Sequence, residues 1–343
     1  MVSRNCKCAL LLAGALVLLF GANVFYGSVD IPAEAVADIL FGAGEVKESW
    51  RFIVLESRLP QAFTALLCGS SLAVSGLMLQ TVFANPLAGP SVLGINSGAS
   101  LGVAVVMLFL GGSVGAGAFS VFGFFSIVAG AFLGSLAVLA VILFFSALLK
   151  SNMMVLVVGI MVGYLASSLI SLLNFAASAE GVHSYVVWGM GSFGNVSSDV
   201  MPYFALLLAV GLFVSVLMIK TLNALLLGER YAENLGVNVK MARLMILATV
   251  GLLTSVATAF CGPVAFIGLA VPHISRLMLG SSSHDVLLPQ TMALGAVVAL
   301  LCNVLCVLPG DGTVIPVNAM TPVLGAPVII YVIVNQRKIQ YLN

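Results

Sequence analysis

Long apolar stretches recur along the chain, each ended by a short cluster of glycine, proline or charge, and their lengths compare directly with a bilayer, which an α-helix crosses in about 20 residues. The pattern predicts ten spanning helices, over 9–27, 61–83, 93–110, 119–148, 154–175, 202–221, 241–260, 264–279, 286–307 and 322–335. The 119–148 stretch is long enough to require tilt or an interfacial end, and 264–279 is short for a full crossing. Two longer segments stand apart from the spans. In 28–60, Ile31, Ala35, Ile39 and Leu40 recur at helical spacing, which predicts a short amphipathic helix at the interface; a solvated cap and a docking element both fit it. In 222–240, Gly228 and Gly236 bracket a two-turn helix whose Tyr231, Ala232 and Leu235 form one small apolar face.

Composition turns this pattern into a membrane assignment. Of 343 residues 61% are apolar and 7% charged, against about 25% charged in a soluble domain. A water-soluble fold of this size has no interior large enough for that apolar surface, so its solvent is lipid. The fold class is therefore an all-α polytopic membrane protein. Cytoplasmic loops carry the excess of Lys and Arg. With the N-terminus inside, ten basic residues fall on the cytoplasmic side, Arg4, Lys7, Lys150, Lys220, Arg230, Lys240, Arg243, Arg276, Arg337 and Lys338, and three outside, Lys47, Arg51 and Arg58. That bias predicts both termini in the cytoplasm, 28–60 outside and 222–240 inside. A net charge of +1 without a basic stripe offers no footprint for nucleic acid. Cys6, Cys8, Cys68, Cys261, Cys302 and Cys306 are dispersed, four of them in apolar stretches where cysteine acts as a small hydrophobe. The apolar run after Arg4 and Lys7 continues to Tyr26 without a clean cleavage site and reads as a retained first span.

Candidate chemistry is sparse. His183, His273 and His284 have no histidine neighbour at helical spacing, so no zinc-protease pair exists. Asp285 and Gly310-Asp311-Gly312 read as solvated turns, and without an intramembrane carboxylate a proton relay has no carrier. No lysine sits in the glycine-rich phosphate loop of an ATPase, so energy from ATP must arrive through another subunit. The 222–240 segment suits such a contact, since Glu229, Arg230, Glu233, Lys240 and Arg243 crowd into a chain otherwise nearly free of charge. Between Ser57 and Gly102 the residues Gly69, Ser70, Ser71, Ala73, Ser75 and Gly76 allow close helix approach in lipid. The following Asn85-Pro86-Leu87-Ala88-Gly89-Pro90 breaks a helix in an apolar region, and its freed backbone groups need protein or water partners, which predicts that it lines a cavity or pathway.

An ordered set of motifs runs over nearly the whole chain: Arg58-Leu59-Pro60, S-G-x-x-x-Q at Ser75 to Gln80, N-P-L-A-x-P at Asn85 to Pro90, and L-G-x-x-x-G-A at Leu93 to Ala99. Trp188-Gly189-Met190-Gly191-Ser192, the Leu227-Gly228-Glu229 and Leu235-Gly236-Val237 pair, G-P-V-A-F-I-G-L-A-V-P-H-I-S-R from Gly262 to Arg276, and Leu324-Gly325-Ala326-Pro327 complete it. With this set the chain resembles the FecCD-like permease subunits of ATP-binding-cassette (ABC) importers for cobalamin, haem and ferric siderophores.

The resemblance implies a ten-helix subunit of the bacterial cytoplasmic (inner) membrane that pairs with a second copy of itself around a two-fold pathway. It implies two cytoplasmic ATPase subunits, which hold the ATP and Mg that this chain does not bind, and a periplasmic or lipid-anchored substrate-binding protein outside. The family's cytoplasmic gate maps onto Asn85 and Leu87 and a second constriction onto Ser151 and Asn152, with Gln80, Pro86 and Pro90 at the helix break. The coupling region maps onto Leu222 to Lys240, with Gly228, Glu229, Arg230, Tyr231, Glu233, Leu235 and Gly236 at its centre. Docking of the binding protein falls to Arg58. The chain departs from the family at Gln61, where a second arginine is usual, and at Asn303 and Val307, where Asp and Arg are usual. The expected function is import of a metal chelate by alternating access, with no catalysis by this chain. The alternative is an ion-coupled secondary transporter or channel without an ATPase partner. A membrane enzyme would need a polar constellation that the sequence lacks. Few polar groups along a wide pathway leave the choice among siderophore, haem and cobalamin open.

Overall fold

The computed structural model describes residues 2–42, 46–109, 121–149, 151–307 and 314–334. Lys150, Gly310-Asp311-Gly312, Arg337 and Lys338, and the side chains of Arg4 and Asn152, lie outside what is described. The helices are α1 (Val2–Phe25), α2 (Ala33–Phe41), α3 (Glu48–Phe52), α4 (Leu59–Val82), α5 (Ile95–Ala104), α6 (Val121–Leu148), α7 (Asn152–Ala176) and α8 (Ala179–Gly189). They continue with α9 (Met201–Leu217), α10 (Ile219–Leu226), α11 (Glu229–Asn234), α12 (Val239–Cys261), α13 (Ile267–Leu279), α14 (His284–Val307) and α15 (Val317–Val334). Six helices are long and apolar enough to cross a membrane, α9 and α10 form a seventh span bent by 51°, and Ile95–Phe109, Ile267–Leu279 and Val317–Tyr331 are shorter apolar helices. These ten coincide with the ten stretches of the hydropathy pattern.

Three elements differ from the expectation in ways that shape the site. The second span begins well before residue 61: α3, a π-helical segment Ile53–Arg58 and α4 form one rod, Glu48–Val82. Pro60 accounts for the wide turn, because a proline ring clashes with the carbonyl four residues earlier and a local π turn relieves it. The short span 264–279 is a partial helix. Gly262 and Phe266 both adopt positive φ, and α13 starts only at Ile267, beside the middle of α4. The third element, α8, was not expected as a helix. Ser178 caps it by accepting from Gly181 N, and it runs from Met107, past a hydrogen bond between the Tyr185 and Ser100 hydroxyls, to Gly262.

The core gathers around α4, which packs against α1, α9, α12, α13 and α14. Glycines let these backbones touch: a Cβ on Gly76 would lie 1.6 Å from the Gly268 carbonyl oxygen, and one on Gly69 would lie 2.3 Å from that of Gly295. The small-residue face read from Gly69 to Gly76 is thus contact with α13 and α14. Outward, α1, α6 and α9 present apolar side chains such as Leu11, Val17, Leu133, Phe144, Leu206 and Phe213. The exposed side of α7 is mixed, with Met161, Tyr164 and Leu165 beside Ser167, Ser168 and Ser171.

Candidate functional site

At the end of the bundle that carries Lys220, Arg230, Lys240, Arg243 and Arg276, α4 gives way to the loop from Phe83 to Gly94. Ala84 turns the chain at φ 45°. The Asn85 side-chain oxygen accepts from Leu87 N at 2.9 Å and its carbonyl from Ala88 N at 3.1 Å, so the asparagine closes the turn that follows it. Two more backbone groups of the break find protein partners, which an apolar region requires. Asn85 N donates to the Gln80 carbonyl at 3.1 Å, and His273 Nε2 donates to the Pro86 carbonyl at 2.8 Å. Gln80 is buried; its Oε1 accepts from Arg276 Nη1 at 2.6 Å and its Nε2 donates to the Leu269 carbonyl at 3.3 Å. Pro90 is buried against Gly268. The base of the loop is thus clamped to α13, while Leu87 at its tip is 46% exposed.

Ser151 is exposed at the start of α7. The loop's far end packs on the same helix, since Gly94 faces the backbone of Gly159 and Gly163, about two turns along from Ser151. The structure therefore places Gln80, Asn85, Pro86, Leu87, Pro90 and Ser151 at one end of the bundle, with the Asn152 backbone adjoining Ser151.

The segment expected to contact a partner follows the bend between α9 and α10. Gly228, at φ 100°, and Gly236, at φ 84°, bound α11 where only glycine turns easily. Tyr231 and Leu235 are 63% and 61% exposed, and Arg230 and Glu233 flank them. Ala232 departs from the expected apolar face. It is fully buried, facing inward against Ala224 and Val239, and serves to seat α11 on α10 and α12. Glu229 is tied back to the bundle by Arg243, whose Nη2 donates to Glu229 Oε1 at 2.8 Å.

At the opposite end, Arg58 is not the free surface arginine that docking would need. It sits inside the long rod, 4% exposed, and its guanidinium donates to the carbonyls of Val24, Phe25 and Val29, where α1 ends. A helix C-terminus leaves its last carbonyls unpaired and carries partial negative charge, and a cation that fills both needs is held there. The two departures nearby turn out to be neighbours: Gln61 Nε2 donates to Asn303 Oδ1 at 3.0 Å, and Asn303 Nδ2 donates to Asn23 Oδ1 at 2.6 Å. Where the resemblance implies a cation at one position and a carboxylate at the other, this chain has two neutral amides bonded to each other.

Sequence reading missed a polar cluster at the basic end. His284 and Asp285 are not in a loop but begin α14; His284 is fully buried between Thr81 and Asn223, and Asp285 Oδ2 accepts from Asn223 Nδ2 at 2.7 Å and Ser283 Oγ at 2.8 Å. The available signal was Ser283 ahead of an apolar run with Asp285 in its first turn, a helix-start pattern.

Residues 15–335 match the FecCD transport family. The chain is 32% identical to the hemin transport system permease protein of Yersinia pestis, over 96% of each chain. It is also 32% identical to the vitamin B12 import system permease protein of Klebsiella pneumoniae, over 84% of each. A solved inward-facing conformation of an ABC transporter described as being of metal-chelate type superposes with a TM-score of 0.80 at 28% identity, covering 95% of this chain and 99% of that one. By the extent of the family match, and by relatives above 30% identity along almost the whole length, the chain belongs to the FecCD transport family.

Proposed function

We propose that this chain is the membrane-spanning subunit of an ABC importer that carries a metal chelate, a ferric siderophore, haem or cobalamin, into the cytoplasm by alternating access. The basic end is then cytoplasmic by the positive-inside rule, in the inner membrane of a bacterium. The subunit works as a homodimer with two ATPase subunits beneath it and a periplasmic or lipid-anchored binding protein above, and ATP and Mg belong to the ATPase. One observation carries this reading: α11 holds Tyr231 and Leu235 out into solvent on a helix too short to be stable alone, which is how a rigid knob for a groove in another protein is built. The mixed face of α7 supports the second copy, since serines repeated along a membrane helix belong against protein or water rather than lipid. Arg58 is committed to α1, so docking outside falls to groups other than its guanidinium.

The test is the double change Tyr231→Ala with Leu235→Ala, assayed in proteoliposomes with the ATPase and binding protein. Both side chains are exposed, so expression and dimerisation stay near normal. ATP-driven uptake is abolished, through loss of the ATPase subunit or through hydrolysis that no longer moves substrate. Full uptake by the double variant, or uptake by the parent chain without any ATPase subunit, overturns the reading; the second result favours an ion-coupled transporter or channel.

A further inference from the structure

We propose that the seam between α1 and α14 at the basic end holds one phosphoglyceride with a primary ammonium headgroup, its amine on Asp285 and an ester carbonyl on Gln290. Such a site needs only that the chain lies in a bilayer, and stands whether or not the chain is an importer.

The two helices run parallel and in register. Toward one end Asn23 of α1 donates to the Leu300 carbonyl and accepts from Asn303 of α14, and at the other Asn5 and Asp285 share a groove. The seam opens there because Ala9 and Ala13 on α1 and Ala293 on α14 line it with no more than a methyl group each, leaving a trough of about 510 Å³. That is within the usual size of a small-molecule site, about 300 to 1,000 Å³. Elsewhere α1 exposes Leu10, Leu11, Val17 and Leu18, so the groove lies along a helix whose solvent is lipid.

Gln290 sets this groove apart from an ordinary lipid-facing furrow. It lines the groove, is 7% exposed, and its Nε2 has no hydrogen-bond partner. An amide donor left unpaired in an apolar surrounding is costly. Water is a poor remedy, because it needs about two to four polar partners and the deeper walls here, Leu12, Ala13, Leu16 and Ala293, are apolar. An ester carbonyl brings an acceptor on an apolar chain, which suits a lone donor in such a wall. The terminal torsion of glutamine is broad, so the amide can turn its N–H toward the groove.

At the mouth Asp285 is exposed, and among the described residues no Lys or Arg pairs with it. Asn223 and Ser283 both donate to its Oδ2 and fix the carboxylate in place. Pro289, also on the groove, has no N–H to give the Asp285 carbonyl one turn back. Carboxylate and carbonyl together suit an ammonium, which has several N–H groups to donate. From Asp285 to Gln290 the helix rises about 7.5 Å, and in a phosphoglyceride a phosphodiester and a glycerol carbon separate amine from ester over a comparable length. The order along the groove, acid, amide and then methyl groups, is the order of amine, ester and acyl chain in the lipid.

Native mass spectrometry of the full chain in detergent reads the site, with phosphatidylethanolamine, phosphatidylcholine and phosphatidylglycerol of identical acyl chains added in turn. The expected result is one ethanolamine lipid per chain, held about tenfold more tightly than either of the others. The choline headgroup has no N–H to donate, and the glycerol lipid brings net negative charge to Asp285. Asp285→Asn brings the three lipids within about twofold of one another, and Gln290→Leu weakens all three about threefold to tenfold, the scale of one hydrogen bond. Ala293→Phe fills the trough and abolishes retention. Should Ala293→Phe fail to fold, Cys6 decides, since it is exposed on the groove. In a Cys8→Ser background it reacts with a hydrophilic maleimide several-fold more slowly in nanodiscs of ethanolamine lipid than in nanodiscs of choline lipid, and Asp285→Asn erases the difference. Equal retention of the three lipids by the parent chain, retention unchanged in Gln290→Leu and Ala293→Phe, or equal Cys6 rates in the two nanodiscs shows annular lipid only and overturns the site. The importer reading is decided separately, by uptake with the Tyr231 and Leu235 double variant.

Discussion

The amide chain at the end opposite the basic one has a direction, and that makes the exchange of Gln61 and Asn303 for a charged pair a sharp test. Asn23 Nδ2 donates to the carbonyls of Leu19 at 2.7 Å and Leu300 at 3.1 Å, which leaves its Oδ1 to accept. Asn303 must therefore donate to Asn23, its own Oδ1 must accept, and Gln61 must donate. Asn303→Asp removes the donor to Asn23 Oδ1, sets two acceptors at 2.6 Å, and places a carboxylate at a position 5% exposed. An uncompensated buried charge costs about 3 to 5 kcal/mol. Gln61→Arg is milder, about 1 kcal/mol, because the half-buried guanidinium still finds the Asn303 oxygen. Together the two substitutions introduce the cation and carboxylate that the resemblance implies at these positions. The introduced pair offsets part of the cost, so the double variant is more stable than the sum of the singles by about 2 kcal/mol. Recovery stays incomplete because Asn23 still faces an acceptor. Midpoints of thermal unfolding in detergent for the parent, both singles and the double give the cycle. Additive shifts, with coupling under about 0.5 kcal/mol, would show that positions 61 and 303 act independently and that the two departures are unrelated.

Arg58→Met removes three hydrogen bonds from a cation to the end of α1 and lowers stability by about 3 kcal/mol or more; binding-protein affinity per folded molecule stays unchanged, measured at low salt where a docking charge would count most. Gly76→Ala forces a methyl group onto the Gly268 carbonyl and costs about 1 to 3 kcal/mol or prevents folding. Gly14→Ala, with nothing within 4 Å, changes the unfolding midpoint little.

Hydropathy located all ten apolar helices, six or seven of them long enough to cross, because lipid imposes a length and a composition that soluble packing does not. It placed the start of the second span at residue 61 because Glu48, Arg51, Glu56 and Arg58 look like loop chemistry. Helical continuity there depends on a π turn and on an arginine that serves another helix's end, neither of which has a local signature. The break at 85–90 was legible, since two prolines and a glycine in six residues leave no alternative to it. Its clamps were not, because His273, Arg276 and Gln80 are far apart in sequence and each reads as an isolated polar residue. The bounds of α11 were legible from Gly228 and Gly236, whereas the inward position of Ala232 depends on Ala224 and Val239 from two other helices. The helix α8 was missed because its 11 residues are too short to stand out against the longer apolar runs around them.

The placement of polar side chains also says which parts can move together. α1, α4, α13 and α14 are joined by directional bonds near both ends: Arg58 and the Asn23, Asn303 and Gln61 chain at one, Gln80 with Arg276 and Thr81 with His284 at the other. Between those ends they meet through glycine backbones, where Gly69 lies on Gly295 and Gly76 on Gly268. Sliding any of the four against the rest breaks several hydrogen bonds at once and brings backbone atoms into collision, so they behave as one body. α7 is attached differently. Among the described residues its side-chain hydrogen bond is internal, Ser171 to the Ser167 carbonyl, and it meets the loop after α4 through Gly94 against Gly159 and Gly163. A shift of α7 against that body exchanges non-directional contacts and breaks no ties between helices among those residues. Since Ser151 begins α7 and the Leu149 carbonyl nearby accepts from Arg243, Ser151 lies at the junction between the tied body and a helix that carries no such side-chain ties among the described residues. Under the proposed importer reading, opening at that end is expected to come from moving α7 past the Asn85 to Pro90 loop, which His273 clamps.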